Sequence, residues 1–365
     1  MWQRYRPLAD ELTVIGRSQP LAADESASKL VSSNTNGVSF CFVPDLGSPK
    51  ARLLERGKVR AIIQPLLEKA DCLIARLPSF TANEAIHVAN KLGKPYAVEM
   101  VGCPWDALWN YGNLKGRIAA PISYLQTKQS VANAAFTIYV TKAFLQQRYP
   151  CPGVCEYASN VEIPTPSPNI LQQRLNKKLS DKIVFGQIGY LDNKYKGIQV
   201  AMQALSSAKE QLGDFEFHIL GSGKQEPWLQ LAESLGIAHQ VKLEGTLSGA
   251  EAVNAWLDKL DIFLQPSLTE GLPRALVEAM ARACPALASD VGGIPELLHP
   301  DCLHPAQSAN KLSENMLRMA TDESWRVQQM QRNFEHAKNY SSDILNERRN
   351  AFWASFADYV KRLNR

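Results

Sequence analysis

The sequence predicts an α/β protein of two doubly wound domains facing each other across a cleft. Three observations predict it. Short apolar runs alternate with helical stretches from end to end, the pattern of a mostly parallel sheet covered on both faces. The alternation falls into two series, divided by the proline-rich stretch Val161-Glu162-Ile163-Pro164-Thr165-Pro166-Ser167-Pro168. At 365 residues, 45% apolar and 21% charged, the chain has the length for two cores and the composition of an ordinary soluble protein.

Taken in order, Trp2–Glu11 reads as a helix leading into a strand at Leu12–Ile15. Strands follow at Val38–Val43, Cys72–Ala75, Tyr96–Val101 and Phe136–Val140, each a short apolar run. Ala82–Leu92, Leu114–Ala134 and Lys142–Tyr149 read as the helices between them. Past a linker near 157–168, strands are expected at Ile183–Ile188, Phe215–Leu220, Val241–Leu243, Ile262–Leu264 and Ala286–Ala288, with a helix over Ile198–Ala204. Residues 308–365 read as helical, and the last helix, Asn346–Arg362, has apolar residues at 352, 353, 356, 359 and 360. The expected division is a first domain over 1–160, a second over 161–340 and a closing helix over 341–365. No internal repeat or low-complexity tract interrupts this order.

Composition narrows the function classes. A net charge of +4 is too mild to argue for nucleic acid, and no nucleic-acid partner is expected. The seven cysteines, at 41, 72, 103, 151, 155, 284 and 302, are scattered; Cys151 and Cys155 form the only close pair and have no second pair to complete a zinc site. A reducing, cytoplasmic compartment is expected. The six histidines show no metal spacing, and His218 reads as a strand residue. No apolar run approaches the length of a membrane span. The start, Met1-Trp2-Gln3-Arg4-Tyr5-Arg6, lacks the apolar core of a secretory signal, so none is expected.

The chemistry concentrates at 265–283. The apolar strand Ile262-Phe263-Leu264 enters a polar turn, Glu270 and Gly271 follow, and a helix begins near Leu272 with Pro273 in its first turn, where a missing N–H costs nothing. Ala275, Leu276, Ala279, Met280 and Ala283 repeat at helical spacing and define a core face. The free N–H groups of the first turn make a place for phosphate. Glu270 and Glu278 flank it, and eight helical steps would set them roughly 12 Å apart, at two ends of one extended ligand. An exposed Arg274–Glu278 pair at i,i+4 would account for both residues without any ligand.

This stretch resembles the signature of glycosyltransferase family 4, the group 1 glycosyltransferases, with an E-x7-E motif ending in E-A-M-A. Here it reads Glu270-Gly271-Leu272-Pro273…Glu278-Ala279-Met280-Ala281, followed by Ser289-Asp290-Val291-Gly292-Gly293-Ile294-Pro295-Glu296-Leu297. The match is strong over about 180–300 and weak elsewhere. It implies the GT-B architecture, with a last helix that crosses back to brace the first domain. It also implies transfer of a sugar from a nucleoside diphosphate sugar to an acceptor hydroxyl, usually with retention, as in bacterial surface-polysaccharide or lipid-linked glycan synthesis. The donor sugar nucleotide is a substrate; no cofactor is implied. No Asp-x-Asp occurs, so no metal ligands are assigned and the diphosphate is left to protein cations.

The resemblance also implies roles. Glu270 would hold the sugar hydroxyls and Glu278 the ribose hydroxyls, since a carboxylate can accept two. Gly271, Leu272 and Arg274 belong to the same donor loop. Family members carry an arginine and a lysine, in G-R-x…K-G, against the diphosphate; Gly189 and Lys196 match, but the arginine position holds Tyr190, leaving Lys194 or Arg274 to replace it. Gly221, in the Gly221-Ser222-Gly223 turn, shapes the donor pocket, and the base rests near Gly245-Thr246-Leu247. In the first domain Asp106 is the candidate acid beside the acceptor, with Trp105 and Trp109 as a sugar-binding or purely structural wall, while Cys103 stands where relatives tend to carry an acid. Family members normally begin with a strand and a cleft-lining loop; that unit is not expected here, either because the start is truncated or because the N-terminal sheet is built differently.

Between Lys50 and Arg60 five basic residues and one acid interleave with apolar ones. A solvated helix face explains this simply; the alternative is a contact with the anionic inner face of the cell membrane, as membrane-associated relatives use basic helices in this domain. The acceptor would be a glycan or lipid-linked molecule. Two other readings stay open: a GT-B sugar-nucleotide epimerase, and a non-catalytic nucleotide-sugar-binding partner subunit.

Overall fold

A computed structural model describes residues 2–17, 36–110, 113–179 and 181–364. Trp2–Leu8 forms a 3₁₀ helix, shorter and tighter than the expected helix to Glu11. Strands β1 (Leu12–Arg17) and β2 (Val38–Val43) pair in parallel and stand apart as a two-stranded sheet. The basic segment forms two helices, α1 (Pro49–Leu54) and α2 (Arg56–Lys69), which meet at Glu55. Then come β3 (Leu73–Leu77), α3 (Phe80–Leu92), β4 (Tyr96–Met100), α4 (Pro104–Trp109), α5 (Leu114–Ala132), β5 (Phe136–Tyr139), α6 (Phe144–Arg148) and β6 (Val154–Tyr157). Strands β3 to β6 lie side by side in chain order, all parallel. β6 carries Cys155 and is too polar to announce itself as a strand.

In a doubly wound sheet the first strand sits between the second and the fourth. The split between the β1–β2 pair and the β3–β6 sheet falls at that position, and among the described residues no strand fills it. Trp2–Leu8 instead bridges the region: Trp2 meets Phe40 of β2 edge-on, and the buried Tyr5 hydroxyl donates to Glu99 of β4. Arg4 donates to Glu99 and to Asn160.

The second domain is built from α7 (Pro168–Asn176), β7 (Ile183–Ile188), α8 (Ile198–Leu212), β8 (Phe215–Leu220), α9 (Glu226–Ser234), β9 (Val241–Gly245) and α10 (Ala250–Lys259). It continues with β10 (Ile262–Gln265), α11 (Arg274–Ala281), β11 (Ala286–Ser289), β12 (Leu303–His304), α12 (Ala309–Thr321) and α13 (Glu323–Ala337). Its six parallel strands run in the order β12-β11-β10-β7-β8-β9, which is the doubly wound order read from the other edge. The order in which strands are added reverses between β7 and β10, where such sheets open a crevice at their C-terminal ends. β10 and β11 are buried along their whole length, as expected of strands covered on both faces.

The last helix, α14 (Ser342–Leu363), returns to the first domain. Phe352, Phe356 and Tyr359 surround Phe136 of β5, and Trp353 packs against Tyr5. Buried Arg349 donates to the Ser159 carbonyl at 2.7 Å.

Candidate functional site

The β7/β10 crevice gathers most of the residues singled out in the sequence. Gly189 follows β7, and the chain turns through Lys194–Lys196 into α8. Gly197 takes φ +74°, and a Cβ there would lie 1.8 Å from the Pro266 carbonyl oxygen. Only glycine lets this turn rest on the exit of β10. The Leu268 amide donates to the Tyr195 carbonyl, and Gln187 donates to that of Lys196, so the turn is locked from both strands.

The lock places Lys196 Nζ 2.7 Å from Glu270 Oε1. The same oxygen accepts from Ser267 Oγ at 2.8 Å and from Gln265 Nε2 at 3.0 Å. Oε2 accepts nothing from the described residues. Glu270 is thus held by one oxygen and offers the other. From behind, Gly292 (φ +59°) approaches so closely that a Cβ would lie 2.0 Å from the Glu270 carbonyl oxygen, and the Gly293 amide donates to the Gly271 carbonyl.

Helix α11 starts at Arg274, so Pro273 is its N-cap and lies outside it. This corrects the start near Leu272 and the eight helical steps between the acids: the chain from Glu270 to Pro273 is not helical. The first intrahelical bond runs from the Val277 amide to the Pro273 carbonyl, which leaves the N–H groups of Arg274, Ala275 and Leu276 without partners in the helix. Glu278, one turn on, is half-buried and accepts no hydrogen bond from the described residues. Burial pushes its carboxyl above the usual carboxylate range, and the Arg274 charge only partly offsets this. The exposed Arg274–Glu278 pair is not what forms: no ion pair closes between them.

Around the crevice, a Cβ on Gly221 would lie 1.9 Å from the Gly189 carbonyl oxygen, so the exits of β7 and β8 touch backbone to backbone. Tyr190 is half-exposed and its hydroxyl binds Asp192, which also accepts from the Lys224 amide at 2.9 Å. Lys194 and Arg274 are exposed. Leu247 lies past β9 and is partly exposed; Leu272 is buried in the core, so only its backbone can face a ligand.

Asp106 is not brought to this crevice as a free acid. Its carboxylate lies 3.0 Å from Arg148 Nη2, an ion pair within the first domain. The sequence could not show this, because the partner is 42 residues away. Cys103 caps α4, with burial raising its thiol to about 11, so it is protonated and no substitute for a carboxylate. Trp105 and Trp109 stack at 5.5 Å, and Trp105 meets Tyr124 edge-on, an aromatic cluster that packs α4 on α5.

Two contacts across the cleft were not singled out in the sequence. Glu296 accepts from the amides of Lys142, Ala143 and Phe144 at 2.6, 2.9 and 2.7 Å, tying the second domain to the entry of α6. A Cβ on Gly271 would lie 2.8 Å from the Val101 carbonyl oxygen, so the Glu270 loop meets the exit of β4. On the first-domain side a cavity of about 330 Å³ opens at the exits of β1, β2 and β3, lined by Arg17, Asp45, Pro78, Phe80, Leu108 and Thr127 among others.

The family model for glycosyl transferases group 1 matches residues 182–322. Protein CapJ of Staphylococcus aureus is 30% identical over 347 residues, covering 94% of this chain and 86% of that protein. The amylovoran biosynthesis glycosyltransferase AmsK of Erwinia amylovora is 40% identical over 139 residues, covering 35% of this chain and 34% of that protein. Among solved structures, sucrose-phosphate synthase from Thermosynechococcus elongatus superposes with a TM-score of 0.69 at 15% identity, over 94% of this chain and 88% of that one.

Proposed function

The chain belongs to the group 1 glycosyl transferases, which transfer sugars in glycan synthesis, and we propose that it takes its sugar from a nucleoside diphosphate sugar seated in the β7/β10 crevice. The observation that carries this is Glu270, fixed through one oxygen by three donors and open at the other. In this reading Oε2 takes a sugar hydroxyl, and the half-buried Glu278 takes the ribose hydroxyls. The diphosphate lies against the first turn of α11. Lys196 supplies a full charge there, and Lys194 or Arg274 stands in for the arginine replaced by Tyr190.

The bond from the anomeric carbon to the diphosphate oxygen breaks, one to the acceptor hydroxyl oxygen forms, and the hydroxyl proton passes to the departing diphosphate. The group needing stabilisation is the departing diphosphate, whose growing charge meets fixed N–H dipoles and ammonium groups. Retention of anomeric configuration is the expected outcome, read from the product anomer by NMR. The acceptor, a glycan or lipid-linked molecule, would enter from the first-domain side, where the 330 Å³ cavity offers room. Asp106, engaged by Arg148, has no role in this scheme.

Acceptor-free release of nucleoside diphosphate from a panel of sugar nucleotides tests the reading. Slow release by the parent and its loss in Glu270→Ala are expected. Binding without any release would favour the non-catalytic partner-subunit reading, which Tyr190 at the arginine position supports. Cytoplasmic residence at the inner face of the membrane is part of the same proposal. No described helix is long and apolar enough to cross a membrane.

A further inference from the structure

The basic segment Lys50–Arg60 is less available to lipid than its sequence suggests. Arg56 and Arg60 both bind Glu84, Lys58 pairs with Glu55, and Arg52 donates to the Leu46 and Gly47 carbonyls while lying over the Phe80 ring. Helix α5 is different. Towards the protein it turns Gly116, Ala120, Ser123, Thr127 and Val131, mostly small or hydroxylated residues. Its large aliphatics face out: Leu114, Ile118, Ile122 and Leu125 are 72%, 62%, 60% and 63% exposed. That inverts the arrangement of a surface helix, whose apolar stripe normally faces the core.

At about 100° per residue these four side chains fall within an arc of about 80° and run along about 16 Å of helix. Lys115 borders the arc on one side; Arg117 and Lys128 border it on the other, about 40° to 60° past Leu114. The helix contains no aspartate or glutamate. Trp109, 44% exposed at the end of α4, lies under the Arg117 guanidinium and extends the apolar surface at the start of the stripe. Leu53 and Leu54 at the end of α1 are exposed too, and a groove lined by Arg56 and Arg60 on one side and Gln126 and Gln129 on the other joins that corner to α5.

We propose that the outer face of α5, with Trp109 at its head, docks this protein on an anionic lipid surface, the aliphatic stripe entering the headgroup boundary and Lys115, Arg117 and Lys128 meeting lipid phosphates. An aliphatic ridge bordered on both sides by cations is the form of helix that lies in a membrane interface. A second copy is a poorer occupant, because it would set the same cations against each other. The placement suits a lipid-linked acceptor. The Asn110 side chain donates to the Leu268 carbonyl, two residues before Glu270, so the stripe begins beside the cleft. This deepens the membrane contact proposed above and is independent of the donor site.

The test is flotation with vesicles of phosphatidylcholine, alone and mixed with phosphatidylglycerol. The parent should float with mixed vesicles at low salt. Ile118→Ser/Ile122→Ser should lower its partition at least tenfold while its melting temperature and its acceptor-free release of nucleoside diphosphate stay at parental values. Lys115→Gln/Arg117→Gln/Lys128→Gln should lose the preference for anionic vesicles. The exposed Leu229→Ser, in the second domain, should float as the parent does. The proposal is overturned if the parent does not float, if the double serine variant floats as well as the parent, or if the stripe drives concentration-dependent dimerisation instead. Failure of the donor reading would appear separately, as absent release in the parent with flotation intact.

Discussion

Glu270 and Glu278 are both carboxylates in one motif, yet their surroundings differ. Glu270 sits among three donors, while Glu278 is half-buried with none. A folded-state pKa above the unfolded value means the unfolded chain gives up this proton more easily. The folded state therefore loses stability as pH rises from the ordinary carboxylate range through the raised value. Glu278→Gln should remove that decline, seen as a flatter plot of melting temperature against pH upward from the ordinary carboxylate range. If Glu278 holds the ribose hydroxyls, the same variant weakens sugar-nucleotide binding by about tenfold, or about 1.4 kcal/mol. Gly292→Ala acts without touching a ligand. Its φ of +59° and the 2.0 Å approach to the Glu270 carbonyl force the loop to move, at a strain of about 1–3 kcal/mol. A lowered rate with a modest fall in melting temperature is the outcome to look for.

At the scale of elements, the strands of both domains other than β6 and β12, and the polar loop after β10, were legible, because continuous apolar runs and Pro-Gly punctuation are local signals. Contacts between distant residues were not. Nothing in Pro295-Glu296 announces that its carboxylate closes on three amides of another domain, nor in Asp106 that Arg148 takes it. Leu114–Ala134 reads as a helix, but the sequence does not say which of its faces looks outward. Glu296→Ala leaves three N–H groups without their acceptor, a loss of about 1–3 kcal/mol. The domains should then open, read as a larger radius of gyration by small-angle scattering, and donor turnover should fall; an unchanged radius would contradict the clamp.

For the molecule as a whole, the two-domain frame depends on α14, whose aromatic side chains close over Phe136 and Tyr5. Phe356 is almost fully buried, and Phe356→Ala should destabilise the protein by about 3–5 kcal/mol, measured by denaturant unfolding. The strands of the first domain fall into two separate sheets, whereas the second domain carries a six-stranded doubly wound sheet with a switch point between β7 and β10. The proposed donor site lies at that switch point.

The most direct test is calorimetric titration of nucleoside diphosphate sugars into the parent and into Lys196→Ala. A sugar nucleotide should bind the parent, and the variant should bind it at least tenfold more weakly. Equal affinity in the two proteins would contradict a diphosphate held between Lys196 and the first turn of α11.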